Sequence, residues 1–233
     1  MTSTLTSKDI AKMIDLSCVR TFSDKADIDE MVTAARKYDF GQVSVLQCFI
    51  PYTKQLLADR PDIHVVGNVS FPSGSDTTTV KVIQAHEMAA AGCDEIDMVM
   101  NIGMLRSGLT AEVEQDVKAV VAAARPLPVK VIIEIMLLTP AEVQTACRIC
   151  LDSGAAFVKT GTGWAERGTT LEDVKLVKSI VGDRIKIKAS GGIRDLDGLI
   201  AMYRAGASRF GINLKSGIEI VEKCLSMPAG IEI

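Results

Sequence analysis

The sequence predicts a single (β/α)8 barrel over residues 1–233, and three observations predict it. One unit recurs along the chain: an apolar strand, a polar or glycine-bearing loop, an amphipathic helix, then glycine before the next strand. Eight such units alternate, and strands that alternate with helices build a parallel sheet. The chain has 233 residues, of which 48% are hydrophobic, enough for the one sizeable core that a closed barrel needs. An open doubly wound sheet is the competing architecture, but no GxGxxG follows the first strand and there is no Walker loop.

Taken in order, a short helix over Ser7–Lys12 would plug the N-terminal end, ahead of a first strand at Met13–Leu16. Helix Ile28–Tyr38 leads to strand Gln42–Cys48, and helix Tyr52–Asp59 to strand His64–Ser70. Helix Thr77–Ala91 ends in Ala91-Gly-Cys93 before strand Glu95–Met100; helix Ala111–Ala124 precedes strand Val129–Ile135. Thr139-Pro-Ala-Glu142 reads as a capping box with proline in the first helical position, opening helix Ala141–Ser153. Strand Ala156–Thr160, helix Leu171–Val181, strand Arg184–Ala189, helix Leu196–Ala205, strand Arg209–Ile212 and helix Gly217–Cys224 complete the set. The joints at Gly92, Gly154, Gly182 and Gly206 place glycine just past a helix, where a left-handed residue ends it without steric cost.

Composition narrows the function. Net charge is −3 with no basic or acidic block, so neither nucleic acid nor an anionic membrane surface is an expected partner. No apolar run reaches the ~18–20 residues that span a bilayer, and the segment from Met1 to Lys8 lacks the apolar centre of a secretion signal. The six cysteines show no disulfide spacing. Cys147 and Cys150 form a CxxC, but within a helical pattern that suits two reduced core thiols. The cytoplasm is the expected location. With two histidines, His64 and His86, neither spaced as a ligand pair, no metal site is expected, and no Ser-His-Asp arrangement suggests itself.

The informative residues are two lysines. Lys159 in Phe157-Val-Lys-Thr-Gly-Thr-Gly163 and Lys188 in Ile187-Lys-Ala-Ser-Gly-Gly-Ile193 each end a short apolar run that breaks into small residues and glycine. At the C-terminal rim of a barrel strand, such a lysine is partly desolvated. Desolvation and a second cation both lower an ammonium pKa, and the neutral amine is what attacks a carbonyl. The bland alternative is a strand-end lysine snorkelling to water; two of them in consecutive units argue against it. Strand alternation then puts Asp15, Glu95, Asp97, Lys130, Glu134, Lys159, Lys186 and Lys188 inside the barrel. Buried charges persist only when paired, so these residues must form a network. Glu95 and Lys186 lie deeper and read as structural; Asp97, Lys159 and Lys188 lie near the rim and read as functional.

Asp94-Glu-Ile-Asp-Met-Val with Asn101-Ile-Gly, Lys130-Val-Ile-Ile-Glu134 and the two lysine motifs resemble the deoxyribose-phosphate aldolase family of class I aldolases, in order and over nearly the whole chain. Asp15, Cys48-Phe-Ile-Pro51 and Phe71-Pro-Ser-Gly74 are weaker echoes. The resemblance implies cleavage of 2-deoxy-D-ribose 5-phosphate to acetaldehyde and D-glyceraldehyde 3-phosphate through a Schiff base. It implies Lys159 as the Schiff-base lysine, Lys188 as the cation that lowers its pKa, and Asp97 as the carboxylate that relays protons with a water. It implies no cofactor, a small sugar phosphate or aldehyde as substrate, and a substrate and phosphate set of Asp15, Gly163, Gly191, Gly192, Lys215, Ser216 and Gly217. A homo-oligomer is also expected.

The chain departs from that pattern around the phosphate. Gly161 stands where serine is usual, Trp164 follows, and Gly211-Ile-Asn-Leu-Lys-Ser-Gly217 is longer by two residues and carries a lysine. Lys186 also stands where the family often has glycine. Gly191, Gly192, Ser216 and Gly217 remain as donors at a helix N-terminus, with Lys215 or Arg167 as the cation. Three readings remain: this aldolase, an aldolase of the same chemistry with a non-phosphorylated or larger substrate, and an isomerase or sensor. The last needs no pair of juxtaposed lysines.

Overall fold

Barrel strands must be apolar on the face that meets the helices, and the interior must find polar or charged partners of its own. The computed structural model describes residues 4–227 and 229–233. Strand β1 (Thr4–Leu5) and helix α1 (Ser7–Lys12) precede β2 (Ile14–Cys18), α2 (Lys25–Tyr38), β3 (Gln42–Val45), α3 (Ile50–Leu56) and β4 (His64–Val69). Then come α4 (Thr78–Ala90), β5 (Glu95–Val99), α5 (Ile102–Arg106), α6 (Thr110–Ala123), β6 (Val129–Ile132), α7 (Pro140–Asp152) and β7 (Phe157–Lys159). The chain continues through α8 (Leu171–Val181), β8 (Lys186–Ser190), α9 (Leu196–Arg204), β9 (Arg209–Asn213), α10 (Leu214–Leu225) and β10 (Ile231–Glu232). Strands β2 to β9 pair in chain order, and β9 returns to β2 in parallel, closing a TIM barrel.

The outward faces follow the alternation. Ile14, Leu16, Val43, Val45, Ile96, Met98, Val131, Val158, Ile187, Phe210 and Ile212 are all buried beneath the helices. Helix starts follow their caps. Thr139 and Glu142 form the expected capping box, and Asp24–Asp27 and Thr170–Asp173 form two more. The four glycine joints all take positive φ, between 59° and 108°.

Several boundaries differ from expectation, each for a local reason. The second barrel strand stops at Val45, and Gln47–Phe49 form a 3-10 turn instead of continuing to Cys48. The strand expected to reach Ile135 ends at Ile132, because Glu134 is left-handed (φ 45°, ψ 55°) and swings the chain into a 3-10 turn at Ile135–Leu137. The last long helix begins at Leu214 rather than Gly217, since the Asn213 side chain caps it by accepting the Ser216 N–H at 3.0 Å. Lys186 shares its strand face with Lys188 but is exposed at the strand N-terminal mouth, with Nζ 5.6 Å from the Phe157 ring centroid. Helix α1 packs along α10 and against the start of β2, and the Gly41 N–H donates to the Ala11 carbonyl at 3.1 Å. A two-stranded antiparallel sheet joins β1 to β10.

Candidate active site

Register brings the charged residues together. Asp97 of β5 pairs across to Asn68 and Lys130, and Lys159 of β7 lies beside Ile132 and Lys188. Asp97, fully buried, is the hub. Its Oδ2 accepts from Lys159 Nζ at 2.7 Å and Lys188 Nζ at 2.9 Å, and its Oδ1 from Lys130 Nζ at 2.9 Å. Lys188 also donates to Asp15, and Arg209 reaches the other Asp15 oxygen at 3.2 Å. Lys130 pairs further down with Glu95 at 2.6 Å. Asp15 therefore holds Lys188, and it also lines the small well at the lysines.

Electrostatics separate the three lysines. Burial lowers the Lys159 ammonium most; Asp97 opposes it, Lys188 and Lys130 add to it, and the group comes down to about 8. Burial also works against Lys130, but Asp97, Asp15 and Glu95 outweigh it, and that ammonium is raised. For Asp97, burial disfavours the anion, yet the fields of Lys130, Lys159 and Lys188 hold it well below the usual carboxylate range. The site thus carries one amine that sheds its proton readily and one carboxylate that stays ionised.

Above the lysines lies a well of about 20 Å3, lined by Ser17, Ser44, Asn68, Phe71, Thr162 and Ser190, among others. It opens into a cleft of about 480 Å3 whose walls include Arg20, Gly163, Trp164, Gly191, Gly192, Arg194 and Lys215. The loops after β7 and β8 meet here backbone to backbone. A Cβ on Gly192 would sit 2.9 Å from Gly168 Cα, and one on Gly191 3.2 Å from Gly163 Cα. Both glycines have positive φ, so no other residue fits the approach. Arg20 donates to the Gly163 carbonyl at 3.0 Å and lies 5.0 Å from the Trp164 ring centroid, bridging the loops across the cleft. On the far side of Trp164 a second cleft of about 650 Å3 runs between Pro72, Ile102, Met136, Leu137 and Arg167.

The structure brings Lys159, Lys188, Asp97 and Asp15 into one cluster and sets Gly163, Gly191, Gly192 and Lys215 around the cleft. Ser216 and Gly217 stand apart. Ser216 is buried in the first turn of α10, its N–H taken by Asn213, and a Cβ on Gly217 would meet Leu16 Cδ2 at 2.5 Å. Gly217 thus lets α10 pack closely against Leu16. Arg167 is bound to Asp173 at 2.6 Å and lines the second cleft. Glu134 reaches the site from the left-handed turn, not from a strand face; its carboxylate accepts from Thr162 N at 3.1 Å and Thr162 Oγ1 at 2.6 Å. A Cβ on Gly161 would come within 2.8 Å of Met136 Cε and 3.0 Å of Glu134 Oε1, so a larger residue there needs those side chains to shift.

Arg209, Asn68 and the hydroxyls of the well went unread in the sequence. Arg209 shares the inward face of Gly211, so alternation could have found it; Ser17, Ser44 and Ser190 carry no signal beyond parity. Cys147 and Cys150 are buried free thiols, and burial pushes Cys147 up to about 12. Among the described residues no helix is long and apolar enough to cross a membrane, and no cluster of three metal-ligating side chains occurs.

A closed barrel holding a desolvated amine beside a second ammonium, at the base of a cleft on the strand C-terminal side, defines an enzyme that works on carbonyls. The DeoC/LacD family aldolase model matches residues 11–217, and the chain belongs to that family. A deoxyribose-phosphate aldolase of Sinorhizobium medicae is 42% identical over 226 residues, 97% of this chain and 91% of the relative. One of Staphylococcus epidermidis is 43% identical over 212 residues, 91% of this chain and 95% of the relative. The tetrameric deoxyribose phosphate aldolase of Aeropyrum pernix superposes with a TM-score of 0.86 at 25% identity, covering 95% of this chain and 93% of that one. The chain is an aldolase, a carbon–carbon lyase.

Proposed function

We propose that this aldolase cleaves 2-deoxy-D-ribose 5-phosphate through a Schiff base on Lys159. The observation that carries the reading is the Lys159 amine, buried, 2.7 Å from Asp97 and held at about 8. Neutral Nζ attacks the C1 aldehyde of the open-chain sugar, and loss of water leaves a protonated imine. The C3 hydroxyl gives up its proton, the C2–C3 bond breaks, and its electron pair moves into the imine to form an enamine. D-Glyceraldehyde 3-phosphate departs. Protonation at C2 and hydrolysis release acetaldehyde and free Lys159.

Lys188 keeps the amine from holding its proton, and Asp97 lies between the two nitrogens, within 2.7 and 2.9 Å, where it can pass a proton from one to the other. A water in the well would extend this relay to the C3 hydroxyl. The phosphate fits the wide end of the cleft, against the Gly191–Gly192 backbone with Arg20, Arg194 and Lys215 nearby. No metal or cofactor enters this sequence of steps.

Sodium borohydride with acetaldehyde should add one reduced adduct, mapped to Lys159 by peptide mass spectrometry. Lys159→Ala should lose both adduct and turnover, and full turnover in that variant would reject the assignment. The apolar cleft beyond Trp164 favours a second reading: the same chemistry on a larger, non-phosphorylated aldehyde. A lower kcat/KM for the phosphorylated sugar than for its phosphate-free analogue would select it. A homo-oligomer is proposed on the tetramer named for the Aeropyrum pernix relative, to be read by light scattering. A cytoplasmic location is proposed on the six free thiols, four of them buried, which suit a reducing compartment.

A further inference from the structure

The barrel interior is charged from one mouth to the other, and the charges form a connected path. At the mouth opposite the cleft, the His64 side chain is 45% exposed with Nδ1 3.5 Å from Glu95 Oε1. Glu95 Oε2 is 2.6 Å from Lys130 Nζ, Lys130 is 2.9 Å from Asp97 Oδ1, and Asp97 Oδ2 is 2.7 Å from Lys159 Nζ. Asp15, Glu95 and Asp97 face Lys130, Lys188 and Arg209, three carboxylates against three fixed cations. These six charges therefore balance one another, and Lys159 is the amine set among them.

We propose that His64 and Glu95, at the rear mouth of the barrel, are remote positioning residues that govern how readily Lys159 releases its proton. Each intervening group is buried, so the links are screened far less than surface pairs. Glu95 divides its charge: Oε1 faces His64 and accepts from Gln42, while Oε2 faces Lys130. A positive charge at position 64 draws on Glu95, so Lys130 turns more of its charge to Asp97. Asp97 then offers less to the Lys159 ammonium, and the amine loses its proton more easily. The direct field of that charge has the same sign.

The groups facing His64 fit this role. Strand β5 presents Glu95, with Asp94 just before it, β9 presents Arg209, and β3 presents the uncharged Gln42; Asp94 is itself paired with Lys54 of α3 at 3.3 Å. The Glu95 carboxylate, 3.5 Å away, is the largest influence on His64 and raises its basicity.

The inference rests on Lys159 being the reactive amine, and its test reads protonation without requiring turnover. Trace acetylation of the full chain with acetic anhydride is followed at Lys159 by peptide mass spectrometry across pH, for His64→Lys, His64→Gln and Glu95→Gln. His64→Lys should titrate below His64→Gln by on the order of half a unit, about threefold in neutral amine at a fixed pH. Glu95→Gln should move the same way as His64→Lys. A merely structural role for His64 would leave the midpoints alone. Position 64 is half open to solvent, so both His64 variants should fold, as circular dichroism would show. Coincident Lys159 midpoints in the two folded variants would overturn the proposal. Midpoints that separate in a protein whose borohydride adduct never forms would uphold the coupling and remove the Schiff-base reading instead.

Discussion

Lys188 and Asp97 are where burial and charge can be told apart at a single residue. Removing the Lys188 charge takes a like charge from beside Lys159 and frees Asp15 and Asp97 to hold the remaining amine. Both effects raise its pKa. Wild-type turnover should rise with pH through about 8, where the Lys159 amine becomes neutral, and in Lys188→Leu that rise should move to higher pH. An unmoved pH–rate profile would contradict the role. Asp97→Asn strands three lysines around a neutral amide. It should lower stability by about 3–5 kcal/mol in urea unfolding and kcat by ~10²–10⁴-fold; near-wild-type values of both would show that Asp97 is not the hub. The two lysines and Asp97 were legible because alternation assigns the inward face and small residues mark the rim. Lys186 was misread because parity gives the face but not the depth: two residues nearer the strand start, the same face opens to solvent. Glu134 was placed inside by parity too, yet its left-handed backbone, which no strand pattern signals, is what carries it to Thr162.

Among the elements, the shift of α10 from Gly217 to Leu214 has the largest consequence for the site. Asn213 is an N-cap residue type, and its signal was hidden by reading the segment as an extended phosphate loop. With Ser216 and Gly217 turned into the helix, Gly211, Asn213, Leu214 and Lys215 are what that segment leaves on the cleft wall, and the Lys215 side chain is 86% exposed. Gly217→Ala should therefore act on packing. Its methyl would press on Leu16, which is fully buried, and should cost about 1–3 kcal/mol. KM for the phosphorylated sugar should stay unchanged in the variant, and a selective rise in that KM would restore Gly217 to the anion site. The other elements were legible where caps and glycine joints punctuate them, as at Thr139–Glu142 and Gly206. Short pieces such as α5 were missed, since five residues hold too little periodicity to see.

For the molecule as a whole, alternation and length were enough to predict the closed barrel, since eight strand–helix units leave few other ways to bury so many two-sided strands. The two-stranded sheet that joins β1 to β10 had no such signal, because two residues on each side carry no pattern. Size and shape say little about occupancy of the cleft, but the chain contains a single tryptophan, Trp164. It stands in the wall shared by both clefts, with Phe71 edge-on at 6.3 Å and Arg20 over its ring. Its indole Nε1 is buried without a hydrogen-bond partner. All of the protein's tryptophan emission thus originates in the wall of the cleft into which the lysine well opens. Adding glyceraldehyde 3-phosphate to the borohydride-inactivated enzyme should shift or quench that emission in a saturable way, and Arg20→Ala should change the starting spectrum. An emission indifferent to ligand would mean that nothing enters the cleft near Trp164. The protein comes with its own optical gauge, placed by the fold where binding can be watched without turnover.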